Sequence, residues 1–225
     1  MSSGNRLTGT QLAVTALREG IRVGRYVPGQ RLVEADLVAE IGVGRNSLRE
    51  AFAHLASEGL VHIEPHRGAS IRRRTQEEIA QLYDLSEVLE GLAARLAAIN
   101  ISRPGNADLL SAATDREQAV ASAGPNQRID EAAHLHEAIL TIADNPRLTE
   151  LTANLHILTF SFQLRHAQLA GSEAHGETSL AEHLAVVEAI RQTDPQQAET
   201  AMRTHVRNAK AWALTLPRSA FGGPA

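Results

Sequence analysis

Arg45, Asn46 and Arg49 are the side chains of this sequence best equipped to read a chemical surface. They fall within Leu37-Val-Ala-Glu-Ile-Gly-Val-Gly-Arg-Asn-Ser-Leu-Arg-Glu-Ala-Phe-Ala-His-Leu-Ala-Ser-Glu-Gly-Leu60. That stretch reads as two short helices joined by a tight turn. Arginine forms bidentate pairs with guanine edges and asparagine with adenine edges, and a helix carrying them fits the major groove of duplex DNA. A second set, His136, His183 and His205, offers imidazole nitrogens suited to a transition metal. These histidines lie 47 and 22 residues apart, which matches no local metal motif, so spacing alone also allows ordinary core or surface histidines.

Regular elements must position both sets. Leu48, Ala51, Phe52 and Leu55 recur at three- and four-residue intervals and give the second helix one buried face, leaving Arg45 and Arg49 on another. Gly42 supplies the left-handed stop that ends the first helix. Upstream, Leu12, Ala16, Leu17 and Ile21 mark a helix over Leu12–Val23, followed by a turn at Tyr26-Val-Pro-Gly-Gln-Arg-Leu32. Downstream, Leu60–Glu64 and Ala69–Arg73 alternate about a Pro65-His-Arg-Gly turn, which predicts a β-hairpin. Helix, helix, helix and hairpin make a winged helix-turn-helix over residues 1–74. Arg67 and Gly68 stand at the wing tip, where backbone and guanidinium can approach a phosphate or the minor groove.

Beyond Arg74 the pattern is helical: Gln76–Ile101, Ala107–Ala123, Gln127–Ala143, Pro146–Leu169, Glu177–Gln192 and Pro195–Leu216. Breaks such as Pro104-Gly105, Asn145-Pro146 and Asp194-Pro195 separate them. The expected class is therefore mostly α, with a C-terminal six-helix antiparallel bundle over 75–217 able to enclose a cavity. The tail, 218–225, is expected to be disordered.

Charge divides along the same boundary. Through Arg74 there are 11 Arg against 7 acidic residues, a balance of +4; from Thr75 onward 11 basic residues face 19 acidic ones, a balance of −8. A basic head on an acidic body suits nucleic acid meeting only the head. The chain has 225 residues and no cysteine, which excludes disulfides and thiolate metal sites. Its polar start and the absence of a long apolar run give no signal peptide or membrane span, so a cytoplasmic location is expected.

The head resembles the winged helix-turn-helix of the GntR family of bacterial transcription regulators. The shared marks include Pro28-Gly29, Arg31-Leu32, Gly42-Val43, Arg45, Leu48-Arg49-Glu50-Ala51, Glu58-Gly59-Leu60-Val61 and Arg67-Gly68. The body resembles the all-helical FCD effector domain of the FadR branch, through Leu82-Tyr83, Leu89-Glu90, Leu96-Ala97-Ala98, His136 followed by Asn145-Pro146, Glu182-His183, Asp194, Met202 and His205. Six helices rather than seven place it with the VanR-like subgroup. The resemblance implies a homodimeric, ligand-responsive regulator, expected to be a repressor, that binds a palindromic double-stranded operator and a small organic acid. It implies DNA contacts from Arg45, Asn46, Ser47, Arg49, His66, Arg67 and Gly68. It also implies a divalent transition metal, such as Zn or Ni, at His136, His183 and His205.

Four positions depart from the family pattern. Gly44 replaces the hydroxyl residue usual before the recognition arginine, and Ala35 replaces a DNA-touching arginine found in some relatives. Ala132 stands where the family places a metal-binding Asp, one turn before His136. Glu131 and Asp130 lie roughly 140° and 120° around the helix from His136, and His134 roughly 160°. Ser86 occupies a position where many relatives carry an arginine that faces a carboxylate ligand, which shifts the expected anion contact to Arg165 or to the metal itself. The rival readings are a sensor whose signal is the metal alone, an architectural DNA binder without effector, and a metal-dependent hydrolase. The last lacks a general base at Ala132 and Ala133.

Overall fold

The computed structural model describes residues 7–170 and 173–222, without the side chains of 165–170, 173–175 and 219. The chain divides into two compact units at Arg74 and Thr75.

The first unit contains α1 (Gly9–Arg22), β1 (Arg31–Leu32), α2 (Glu34–Ile41), α3 (Arg45–Ser57), β2 (Val61–Glu64) and β3 (Gly68–Ile71). Helix α1 starts three residues before its apolar repeat because Thr8 and Gln11 form a reciprocal capping box, with the Thr8 hydroxyl accepting from the Gln11 amide and the Gln11 side chain from that of Thr8. Gly42, at φ 76°, ends α2 in the left-handed conformation. Leu17, Leu48, Ala51 and Leu55 are fully buried and join α1 to α3, while Leu60, Val61 and Ile71 seal the hairpin side.

The wing has one strand more than the sequence suggests. Arg31 and Leu32 pair antiparallel with Ser70 and Ala69, so the sheet runs β1-β3-β2. Two residues are too few to show alternation, which is why this stretch reads as turn. At the wing tip the Arg67 amide donates to the Glu64 carbonyl at 3.1 Å. Pro65 occupies the second position of that turn and His66 the third, at φ 64°. This is the type II pattern, with histidine where glycine is usual.

The second unit contains α4 (Gln76–Asn100), α5 (Asn106–Ala119), α6 (Pro125–Ala143), α7 (Pro146–Ala170), α8 (Glu173–Arg191) and α9 (Pro195–Ala213). Its core joins Tyr83, Ala94 and Ala97 of α4 to Leu135 and Ile139 of α6, Ile190 of α8, and Met202 and Ala209 of α9. Small residues on α4, including Gly91 with the Arg203 side chain lying against it, let neighbouring helices approach closely.

The expectation of a disordered tail is corrected over 218–222. Arg218–Ala220 form a 3-10 turn, and Ala220 and Phe221 are buried in the core of the second unit. The Phe221 ring packs against Phe162 with centroids 5.3 Å apart. Local composition, rich in Gly and Pro, conceals one apolar ring whose burial fixes the segment.

Phe221→Ala should lower the stability of the protein by roughly 3 kcal/mol or more, the usual range for a buried phenylalanine. Urea unfolding followed by circular dichroism measures it; an unchanged midpoint would show that the ring contributes nothing.

Candidate functional site

Helix α3 presents its N-terminal residues outward. Arg45 and Asn46 are exposed at its first two positions, and Arg45 has no carboxylate partner among the described residues. Gly44 is the N-cap and supplies no side-chain bond, so nearby amide donors remain available to an anion. Arg49 is also exposed but is held by Glu34 of α2, its Nε donating to both carboxylate oxygens at 3.0 and 3.2 Å. Those bonds raise its already high pKa. Ser47 differs from its neighbours: it is half-buried, and its Oγ lies where a side chain at Gly9 would have to go. His66, Arg67 and Gly68 are exposed at the wing tip, with Arg67 bonded to Glu64 at 2.8 Å.

The three separated histidines meet inside the second unit. His183 Nε2 lies 3.1 Å from His136 Nε2 and 3.0 Å from His205 Nε2. All three residues are buried, at 2–5% exposure. The opposite nitrogen of each ring faces a carboxylate. His136 Nδ1 bonds to Glu90 of α4, His183 Nδ1 to Glu117 of α5 at 2.5 Å, and His205 Nδ1 to Glu182 of α8 at 2.9 Å. A neutral ring that gives its Nδ1 proton to a carboxylate has only a lone pair at Nε2. Three converging lone pairs repel one another unless a cation lies between them. A transition ion about 2.0–2.1 Å from each nitrogen would hold such nitrogens roughly 3 Å or slightly more apart, so this donor set fits a metal.

Burial and ion pairing set the electrostatics of the cluster. Burial, reinforced by the charges of His205 and His136, holds His183 well below the usual imidazole range, which keeps it neutral. Burial pushes Glu90 up, but the charges and hydrogen bonds of His136 and His156 outweigh it and hold Glu90 well below the usual carboxylate range. Glu182 is also lowered, its bonds to His205 and Asn208 outweighing its burial. Glu117 is the exception: burial pushes it up to about 7 against the pull of His136 and His205.

A cavity of about 80 Å³ adjoins the histidines, bordered by His183, His205, Glu117, Ala132, Phe160 and Trp212 among others. Ala132 therefore faces the site where the family carries an Asp, and no carboxylate takes its place on α6. Glu131 turns away to Arg116, 3.0 Å distant. Ser86 does not border this cavity. It is buried one turn before Glu90 on α4, and its hydroxyl has no hydrogen-bond partner among the described residues. The Arg165 side chain lies outside the described residues.

Sequence spacing gave no sign of Glu117 or of His156, whose Nε2 is buried 3.6 Å from Glu90. Glu182-His183 was visible as a pair, yet Glu182 orients His205 rather than its own neighbour. Glu182→Ala should weaken Zn²⁺ binding roughly 10- to 100-fold, the usual effect of losing a carboxylate behind a metal-binding imidazole. Competition titration against a zinc chelator checks this, and equal affinity would show that Glu182 does not orient a ligand.

Comparison with known proteins matches this geometry to a family. The model of the FCD domain matches residues 69–208, and that of the gntR family of bacterial regulatory proteins matches residues 10–71. The chain is 28% identical over 211 residues to the probable D-xylose utilization operon transcriptional repressor of Paenarthrobacter nicotinovorans, covering 91% of this chain and 90% of that one. It is 28% identical over 221 residues to the galactonate operon transcriptional repressor of Escherichia coli K12, covering 89% and 94%. A solved GntR transcriptional regulator from Rhodococcus sp. RHA1 superposes with a TM-score of 0.75 at 26% identity, covering 93% and 99%. McbR/YncC of E. coli shares the fold with a TM-score of 0.83 at 18% identity, over the same shares. An exposed arginine–asparagine helix tip and a buried histidine cluster thus occur together in a transcriptional regulator, not an enzyme, and the chain belongs to the GntR family in the group that carries an FCD domain.

Proposed function

We propose that this regulator is a homodimeric repressor whose hold on a palindromic operator is set by a divalent metal and a small organic acid in the helical bundle. The observation that carries this reading is the convergence of three Nε2 lone pairs, each fixed by a carboxylate, at the edge of a cavity. His136, His183 and His205 would hold a Zn- or Ni-like ion, which when bound supplies a cationic anchor for an acid. Ala132 leaves space there instead of a fourth protein donor. The organic acid is also the class suggested by the galactonate repressor among the relatives. In the head, Arg45 and Asn46 would read base edges, Arg49 would join them on leaving Glu34, and His66, Arg67 and Gly68 would meet the backbone. Ser47, turned toward Gly9, would contribute at most through its backbone.

The dimer reading has its own support. Leu85, Val88, Leu92 and Ile99 stand exposed on α4, at 57, 50, 38 and 55%. With Arg95 they occupy successive a and d positions of a seven-residue repeat, the seam by which one helix packs on a copy of itself. Arg95 is already paired with Glu199 at 3.2 Å. A two-fold dimer would present two recognition helices to two half-sites.

A metal-only signal is the second reading, favoured by three protein donors that converge without any organic ligand. The test is gel-shift binding of the full chain to DNA from upstream of its own gene, with Zn²⁺, with chelator, and with a panel of organic acids. The proposal expects an acid to release the DNA only when Zn²⁺ is present. Release by chelator alone would favour the metal-only reading, and failure to bind any such DNA specifically would overturn both.

Two substitutions extend this. Arg45→Ala should reduce discrimination between operator and unrelated DNA by about 1–3 kcal/mol, roughly 5- to 150-fold, with a smaller loss of non-specific affinity. Fluorescence anisotropy on both DNAs checks it, and equal losses would assign Arg45 to the phosphates. Leu92→Asp should yield a monomer by analytical ultracentrifugation, whereas an intact dimer would remove the α4 seam from the interface.

A further inference from the structure

Helices α4, α5, α6, α8 and α9 each supply an imidazole or a carboxylate to the histidine cluster. Helix α7 brings a further imidazole, His156, to its edge. The His156 side chain is 11% exposed, and its Nε2 is buried with no hydrogen-bond partner among the described residues. That nitrogen lies 3.6 Å from Glu90 Oε2, the same oxygen that bonds His136 Nδ1. The ring has little room to turn away. It packs edge-on against His136 and Phe160, with centroids 5.8 and 5.4 Å distant, and Phe160 stands edge-on to His136 at 5.3 Å.

A buried imidazole nitrogen without a partner is costly, and a buried carboxylate oxygen can accept more than one donor. A shift of roughly half an ångström would bring His156 Nε2 within ordinary N–H···O range of Glu90. The same arrangement is complete at Glu182, where Oε2 serves His205 while Oε1 accepts from Asn208 at 2.6 Å. We propose that His156 is a positioning residue of the metal centre, donating from Nε2 to Glu90 and so holding that carboxylate against His136. This rests on the metal reading above and deepens it. His156 fixes Glu90, Glu90 fixes the His136 tautomer, and that tautomer turns a lone pair rather than a proton toward the ion. Helix α7, which also carries Phe160 at the cavity wall, is thereby tied to the metal centre.

The experiment measures Zn²⁺ affinity of the full chain by competition with a chelator, for the unaltered protein, His156→Phe and His156→Gln. Phenylalanine keeps a flat ring against Phe160 and His136 but has no donor, whereas glutamine offers an amide donor near the place of Nε2. His156→Phe should weaken Zn²⁺ binding roughly tenfold or more, and His156→Gln should restore it to within roughly threefold of the unaltered chain. With Co²⁺ in place of Zn²⁺, the visible absorption bands should shift in His156→Phe and not in His156→Gln. On a Glu90→Met background, which keeps the length but removes the acceptor, His156→Phe should cost less than about twofold, because its effect passes through the carboxylate. Unchanged Zn²⁺ affinity in His156→Phe, losses that add to those of Glu90→Met, or no restoration by glutamine at an unchanged urea midpoint would each overturn the proposal and leave the metal reading standing. Should Glu90→Met fail to fold, the comparison of phenylalanine with glutamine decides. No Zn²⁺ binding by the unaltered chain would overturn the metal reading as well.

Discussion

The carboxylate behind each imidazole is the constraint on which the second unit depends. An isolated buried histidine can carry its proton on either nitrogen and turn its ring to suit. Here Glu90, Glu117 and Glu182 remove that freedom at His136, His183 and His205 in turn. Five helices contribute to the arrangement: α4, α5, α6, α8 and α9. Closing the cluster therefore fixes the helices relative to one another. Three ionisable acids and three imidazoles in an apolar interior would oppose folding if left unmatched. Their mutual bonds offset that burden.

The cavity inherits its character from the same arrangement. One wall is the histidine cluster, and the rest mixes aromatic and aliphatic surface with a few polar groups. Because the imidazoles are already spoken for on one side, whatever enters meets lone pairs or a metal rather than mobile rings. Side chains from five helices meet at this wall.

What the sequence reveals follows from the range of the forces involved. Helix α3 and its polar tip were legible because burial repeats every three or four residues and Gly42 marks a local stop. The six helices of the bundle were legible for the same reason. The start of α1 shifted because two hydrogen bonds, from Thr8 and Gln11, outweigh apolar periodicity at a helix end. The histidine trio was legible only through resemblance, since no local spacing can signal residues 47 and 22 apart. Glu117 was not legible at all, because its partner His183 lies 66 residues away. Adjacency even misleads: Glu182 bonds the His205 ring, while the neighbouring His183 is bonded by Glu117. Phe221 was hidden by the glycines and proline around it and shows itself only by its place against Phe162.

The pair between Arg49 and Glu34 has a consequence for how the head meets any polyanion. Off its target, this guanidinium is neutralised by a carboxylate borrowed from the preceding helix. Engaging Arg49 is therefore an exchange of one anion for another, and its net worth is a difference rather than a whole ion pair. Random encounters that offer only a passing phosphate gain little from such a trade, while a site that also satisfies the planar fork gains more. Added salt weakens both sides of such an exchange together, so this position would be less sensitive to ionic strength than Arg45, which has no carboxylate partner among the described residues.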